Sequence, residues 1–117
     1  MNRYYLILSL SLINYCLAAN EYYTFDKIES TLHAWQTTFG TNPHPDYESL
    51  GFGIIYNLDT IGYSSQDNLP IYAVKLSANV HEREPEPKVL ILGQCHAEEI
   101  YGVEISMEII AQFLHPE

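Results

Sequence analysis

The chain has 117 residues, of which 47% are apolar, enough for one domain with a modest core. Fifteen acidic residues stand against five Lys and Arg, so the net charge is -10. That charge repels a phosphate backbone and excludes nucleic acid as a partner. Two cysteines cannot form the disulfide scaffold of a small secreted domain. The function must therefore be inferred from local motifs.

The first 19 residues have the pattern of a secretory signal peptide. A basic residue near the start precedes the apolar run 6–13, and the small residues Ala18 and Ala19 follow. A membrane-spanning helix needs about 20 apolar residues, and Asn14 interrupts the run well before that. A membrane anchor and lipid attachment at Cys16 are the alternatives. We predict cleavage after Ala18 or Ala19, no stable membrane span, and an exported protein that is secreted or periplasmic.

The first half of the mature chain predicts a helix, a loop and a hairpin. Apolar residues recur at spacings of three and four over residues 24–39, which makes one helical stripe. Thr24 suits its amino-terminal cap, and Gly40 its end. Residues 41–49 contain two prolines and predict a loop. Residues 53–64 and 69–78 mix apolar and polar residues on either side of the short turn 66–68, a pattern typical of a β-hairpin.

The second half predicts a buried strand followed by a buried helix. Residues 81–87 are charged and contain two prolines, so they read as a solvated connection. The continuous apolar run 88–93 is typical of a central strand covered on both faces. Residues 99–114 carry a wide apolar stripe, which predicts a largely buried helix. We therefore expect an α/β fold in which a mixed parallel and antiparallel sheet carries helices on both faces.

The segment between that strand and helix, GQCHAEE over residues 93–99, holds the candidate chemistry. The carboxyl end of a central strand is where α/β sheets place ligands. His96 and Glu99 are three residues apart, so in a tight turn their side chains point the same way, as two ligands of one zinc ion must. On the residues alone, a second interpretation stays open. Glu99 would be a first-turn acid interacting with the helix dipole, and His96 a hydrogen-bonded loop histidine.

The motif and its surroundings resemble the zinc carboxypeptidases of the carboxypeptidase A type. The run GQCHAEEIYGVEISMEII is similar to that family's strand end, which delivers His-Ala-x-Glu followed by an apolar helix. Upstream, LDTIGYSS (58–65) and LPIYAVKLS (69–77) resemble the family's paired strands. The resemblance spans roughly residues 23–115. It implies that residues 20–117 are the incomplete amino-terminal part of a zinc carboxypeptidase catalytic domain.

The resemblance implies a zinc cofactor held by His96 and Glu99, which correspond to the family's first zinc-binding histidine and its zinc-binding glutamate. The implied activity is that of a secreted metallocarboxypeptidase removing carboxyl-terminal residues from peptides or proteins. Its second zinc histidine, glutamate base and oxyanion arginine would lie further along a longer chain. We therefore assign no catalytic residue here and expect these 117 residues alone to be inactive. A non-catalytic peptide-binding module and a related zinc deacylase or amidohydrolase are the alternatives.

Other candidate ligands are expected to stay outside the metal site. His115 lies sixteen residues beyond Glu99, about 24 Å along a helix at 1.5 Å per residue. Cys95 is a lone thiol at a strand end, where a small packed residue is more usual. Three further histidines are expected to be structural or solvated: His33, His44 and His81.

The signal-peptide interpretation predicts the first residue of the exported protein. Amino-terminal sequencing of protein recovered outside the cytoplasm should find a start at Ala19 or Asn20, because the small residues before them suit signal cleavage. An exported protein that still carries Met1 would contradict the prediction.

Overall fold

The computed structural model describes residues 22–115. In chain order these form helix α1 (Phe25–Phe39), the one-turn helix α2 (Pro45–Glu48), strands β1 (Tyr56–Tyr63) and β2 (Pro70–Leu76), and helix α3 (Ile100–Leu114). This part of the chain is thus a small mixed α/β arrangement with a two-stranded sheet. Among the described residues, no helix has the length and apolar character needed to cross a membrane. The predicted signal peptide, residues 1–19, lies outside the described range.

Helix α1 confirms the prediction for residues 24–39. The Thr24 hydroxyl accepts a hydrogen bond from the Lys27 amide at 3.3 Å, which satisfies one of the donors left free at a helix start. At the other end, the Gly40 amide donates to the Gln36 carbonyl at 3.0 Å, and the helix stops there. Both ends are therefore set by the residues that the sequence pattern indicated.

The predicted hairpin is also confirmed. Strands β1 and β2 are antiparallel, with Tyr56 opposite Leu76 at the open end. At the turn, the Ser64 and Leu69 backbones are joined by a 2.8 Å hydrogen bond, and the Leu69 amide also donates to the Ser64 hydroxyl. Asn68 lies in the left-handed region with φ 53°, which Asn tolerates better than most residues. The turn thus sets the pairing next to it, and the register shifts further along β1 between Thr60 and Gly62.

The core is built around Tyr56, which has no exposed surface. Its hydroxyl donates to the Leu32 carbonyl of α1 at 3.0 Å, and the Trp35 ring packs edge-on against its ring. Burial raises the pKa of the Tyr56 hydroxyl, which therefore remains a neutral donor. Nearby, the Leu58 amide donates to the Gln36 side chain at 2.8 Å. Together these contacts dock α1 on β1.

The carboxyl-terminal end of α3 packs into the same core. Leu114 is 2% exposed and belongs to the buried cluster formed with Phe39, Tyr47, Ile55 and Tyr56. The Tyr47 hydroxyl also donates to the Phe113 carbonyl at 2.7 Å. One end of α3 is therefore fixed by packing, while its amino-terminal end extends away from this cluster.

The sequence predicts a central strand over residues 88–93, but within the described chain these residues do not form a strand. Val89 and Leu90 are 87% and 85% exposed, whereas a central strand would bury them. A parallel strand forms only by hydrogen bonding to neighbouring strands, and in residues 22–115 the hairpin strands pair only with each other. The predicted parallel pairing and the helices on both faces are therefore not seen in this part of the chain.

Residues 41–49, predicted as a loop, contain the short helix α2. His44 caps it, since its Nδ1 atom accepts a hydrogen bond from the Asp46 amide at 3.4 Å. Pro45 occupies the first helical position, where its fixed φ angle and missing amide hydrogen are no disadvantage. The two prolines were thus compatible with one helical turn as well as with a loop.

Helix α3 has the predicted extent but not the predicted burial. Met107 and Leu114 are buried, whereas Ile105 and Phe113 are 58% and 64% exposed. The wide apolar stripe predicted a helix covered on several sides. In the described part of the chain, the fully buried residues of the helix are Met107 and Leu114.

The Tyr56 hydroxyl gives a stability prediction. Tyr56→Phe should lower the free energy of unfolding by about 1 kcal/mol, because the buried hydrogen bond to the Leu32 carbonyl is lost. Tyr63→Phe is the matched control, since Tyr63 is 60% exposed and its change should leave stability nearly unaltered. Urea unfolding of both variants measures the difference. Equal losses would contradict the role given to the buried hydroxyl.

Candidate metal centre

The loop 93–99 is a compact turn that leads into α3. The Gln94 side chain donates to the Ala97 carbonyl at 2.9 Å, which closes the loop on itself. The Glu99 amide donates to the His96 carbonyl at 3.1 Å, and Glu99 is the residue that precedes the first turn of the helix. The loop therefore has a defined shape and a fixed point of attachment to α3.

Within this turn the side chains of His96 and Glu99 meet. The His96 Nδ1 atom lies 3.1 Å from Oε1 of Glu99. The other carboxylate oxygen, Oε2, accepts from the backbone amides of Cys95 at 3.3 Å and His96 at 3.2 Å. The side chains are 70% and 50% exposed, so solvent reaches the pair. The structure thus brings together the two residues that the sequence singled out.

The hydrogen bond from the His96 side chain holds the pKa of the Glu99 carboxyl below its usual 4.5. The backbone amides of His96 and Cys95 act in the same direction, because each favours the charged form. The carboxylate therefore stays ionised in mildly acidic solution. An ionised carboxylate is the form that can serve as a metal ligand.

The two donor atoms fit one zinc ion. Zinc bonds of about 2.0 to 2.2 Å at a tetrahedral angle place two ligand atoms about 3.3 to 3.6 Å apart, slightly more than the observed 3.1 Å between Nδ1 and Oε1. Because an ionised carboxylate can only accept, Nδ1 of His96 carries the hydrogen in this arrangement. Nδ1 and Oε1 can therefore face a shared metal ion in place of that hydrogen, so the donor set fits zinc.

The described residues supply two ligands and not a full set. Across residues 22–115, no three His, Cys, Asp or Glu side chains lie close enough together to hold a metal ion. A catalytic zinc usually has three protein ligands and one open position. The metal-binding role of His96 and Glu99 therefore stays a prediction, and it needs a further ligand from outside this range.

The alternative interpretation made Glu99 a first-turn acid that interacts with the helix dipole, but Glu99 precedes the first turn of α3, which contains no acidic residue. Glu99 is the amino-terminal cap of α3 by position, but its side chain makes no capping hydrogen bond to the helix. The carboxylate turns back to the amides of Cys95 and His96 instead. Its hydrogen bonds thus stabilise the loop that carries the histidine.

Cys95 departs from the sequence expectation. It was expected to be a small packed residue, but its free thiol is exposed. The burial expectation depended on the predicted strand 88–93, and this segment is a surface loop in the described structure. Only its backbone amide takes part in the turn, through the bond to Glu99.

Three of the other histidines make contacts within the fold, and the fourth is exposed to solvent. His115 lies at the far end of α3, where its ring packs edge-on against Phe39 with the ring centres 5.2 Å apart. His33 Nε2 lies 3.3 Å from the Tyr72 hydroxyl. His44 caps α2, and His81 is exposed. The structure thus places His115 away from His96, as the helical spacing predicted.

Sequence analysis missed a close contact beneath the loop. The carbonyl group of Gly93 rests against α3 at Gly102, so that a Cβ atom on Gly102 would overlap the Gly93 carbonyl oxygen and lie 3.0 Å from the carbonyl carbon. Gly102 itself could have indicated this contact, because an isolated glycine inside a helical pattern commonly has a packing reason.

The segment before α1 also reaches the first half of α3. The Tyr23 amide donates to Oε1 of Glu104 at 2.6 Å, and the Tyr22 ring packs edge-on against Tyr101. Glu104 is half-buried by this contact. The amino-terminal segment thus helps to hold the end of α3 that carries the candidate site.

Comparison with known families finds a match over the part of the chain that contains this loop. The family model described as zinc carboxypeptidase matches residues 52–116, more than half of the chain. The matched range contains the hairpin, the loop with His96 and Glu99, and α3. No curated protein and no solved structure matches the chain.

The Glu99 hydrogen bonds give a pH-dependent prediction for the metal-free protein. Because the carboxyl pKa is lowered in the folded state, its stabilisation of the loop is present above pH 4.5 and is lost as pH falls through the lowered pKa. As the pH is lowered, the amides of Cys95 and His96 should therefore still be protected from hydrogen exchange at pH 4.5. They should lose that protection only when the pH falls through the lowered pKa of Glu99. Glu99→Gln should lower that protection at neutral pH and remove the transition.

Glu98→Gln is the matched control, since the neighbouring Glu98 is an exposed acid in the same loop. In Glu98→Gln, the protection factors of the Cys95 and His96 amides should equal those of the unsubstituted protein at each pH. Equal effects of the two substitutions would show that loop charge in general, and not the Glu99 hydrogen bonds, orders the turn.

Proposed function

This chain belongs to the zinc carboxypeptidase family, and we propose that the protein is a secreted metallocarboxypeptidase removing carboxyl-terminal residues from peptides or proteins. One observation supports this site in particular. The His96 and Glu99 donor atoms lie 3.1 Å apart inside the range that matches the family. The chemistry expected of such a family is zinc-dependent hydrolysis.

We assign Nδ1 of His96 and Oε1 of Glu99 as two of the zinc ligands. When bound, zinc lowers the pKa of a coordinated water to about 7 and polarises a carbonyl group. The role of this chain is to hold one imidazole and one carboxylate at ligand spacing while leaving them accessible to solvent and substrate. The third ligand and the general base are assigned to residues outside 22–115, because that range provides no third ligand nearby.

The proposal extends to the sheet of the complete domain. There, residues 88–93 would pair as a central strand, and the sheet would become mixed, with helices on both faces. The exposure of Val89, Leu90 and Leu92 supports this, since contiguous apolar residues are normally covered. Residues 20–117 would then form the amino-terminal part of the catalytic domain, and residues 1–19 the signal that directs export.

Ligand substitution tests the proposed metal site in the complete protein. The unsubstituted protein should contain about one zinc ion per chain. His96→Ala and Glu99→Ala should each lower zinc content to near zero and peptidase activity to background, because each removes one ligand. Elemental analysis and release of carboxyl-terminal residues from a peptide measure the two effects.

Cys95→Ala and His115→Ala are the controls, and both should retain zinc and activity. Retention of zinc by both ligand variants would contradict the assignment. Zinc without any hydrolysis would favour a non-catalytic peptide-binding module. Hydrolysis of acylated amino acids in place of peptides would favour the related deacylases.

A further inference from the structure

The loop that carries His96 touches α3 at two places. It is covalently continuous with the helix at Glu99, and its first residue, Gly93, rests on the helix at Gly102. The segment from Gly93 to Gly102 is therefore a small closed loop. His96 lies between the two contacts, so its position relative to Glu99 depends on both.

The second contact exists only because Gly102 lacks a side chain, and it leaves little room for one at Gly93. A Cβ atom on Gly102 would collide with the carbonyl group of Gly93, which is backbone and cannot rotate away. A Cβ atom on Gly93 would lie 3.3 Å from the hydroxyl oxygen of Ser106, one helical turn further along. That hydroxyl is itself held by a 2.8 Å hydrogen bond to the Gly102 carbonyl.

Helix energetics alone would favour a different residue at position 102. Glycine within a helix costs roughly 0.5 to 1 kcal/mol relative to alanine. Gly102 lies in the first turn of α3, and the collision there is with Gly93, outside the helix. The loop contact therefore opposes the substitution that the helix by itself would prefer.

We infer that Gly93 and Gly102 are positioning residues for the metal site, seating the 93–99 loop on α3 so that Nδ1 of His96 stays at ligand distance from Glu99. The inference rests on the proposed function. A side chain at position 102 would push Gly93 off the helix and carry His96 with it. Glu99 would stay in place, because it is joined directly to the first turn of α3. The two donor atoms would then separate.

Metal binding by the complete protein tests this inference without reference to activity. Gly102→Ala should weaken zinc binding roughly 10- to 100-fold, the range typical when a residue that orients a ligand is lost. Competition with a chromophoric chelator measures the affinity. The absorption spectrum of the cobalt-loaded protein should also change, because it reports the arrangement of the ligands. A role limited to overall stability would leave that spectrum unaltered.

Gly62→Ala is the matched control. A Cβ atom on Gly62 meets nothing closer than a methyl group of Ile71 at 3.9 Å, which is ordinary contact. Zinc affinity and the cobalt spectrum should therefore remain those of the unsubstituted protein. Unchanged affinity and spectrum in Gly102→Ala would overturn the inference.

A milder substitution decides the matter if Gly102→Ala does not fold. Gly93→Ala should weaken zinc binding less severely, and adding Ser106→Ala should restore it, since that change removes the oxygen that the new methyl group meets. Normal binding by Gly93→Ala, or a loss that Ser106→Ala does not restore, would overturn the inference. An unsubstituted protein without zinc would instead overturn the proposed function.

Discussion

The Glu99 carboxylate is the group on which the arrangement of the loop depends. One oxygen faces the His96 imidazole, and the other accepts from two successive backbone amides. Charge-assisted hydrogen bonds of this kind are stronger than neutral ones, so this side chain stabilises the turn together with the Gln94 bond to the Ala97 carbonyl. Because Glu99 also precedes the first turn of α3, the loop is fixed relative to that helix.

Helix α3 connects this loop to the core and also separates the two. Its fifteen residues span about 22 Å at 1.5 Å per residue. Leu114 is buried beside Tyr56 at one end, while the loop adjoins the other. Substitutions this far apart usually have independent effects. Substitutions in the core should therefore alter the free energy of unfolding with little effect on the distance between the His96 and Glu99 donor atoms. Substitutions in the loop should alter that distance with little effect on the free energy of unfolding.

The elements that were predictable from sequence are those determined by residues close along the chain. Helix α1 follows from its apolar spacing and the Thr24 cap, and the hairpin from the turn that Asn68 permits. The meeting of His96 and Glu99 is local too, since both lie in one turn. Their zinc role came from the family resemblance. The contact between Gly93 and Gly102 was not predictable, because spacing does not reveal which backbone groups approach closely.

Residues 88–93 show why an apolar pattern does not by itself produce a strand. An apolar run records that its side chains should be buried, but a strand also needs hydrogen-bonding neighbours, and residues 22–115 leave both outer edges of the hairpin unpaired. Burying one side chain such as Val89 is worth about 1.5 to 3 kcal/mol, so its exposure favours pairing wherever a partner strand is available. Such pairing would anchor the loop upstream of Gly93. The candidate site would then be held from the sheet as well as from α3.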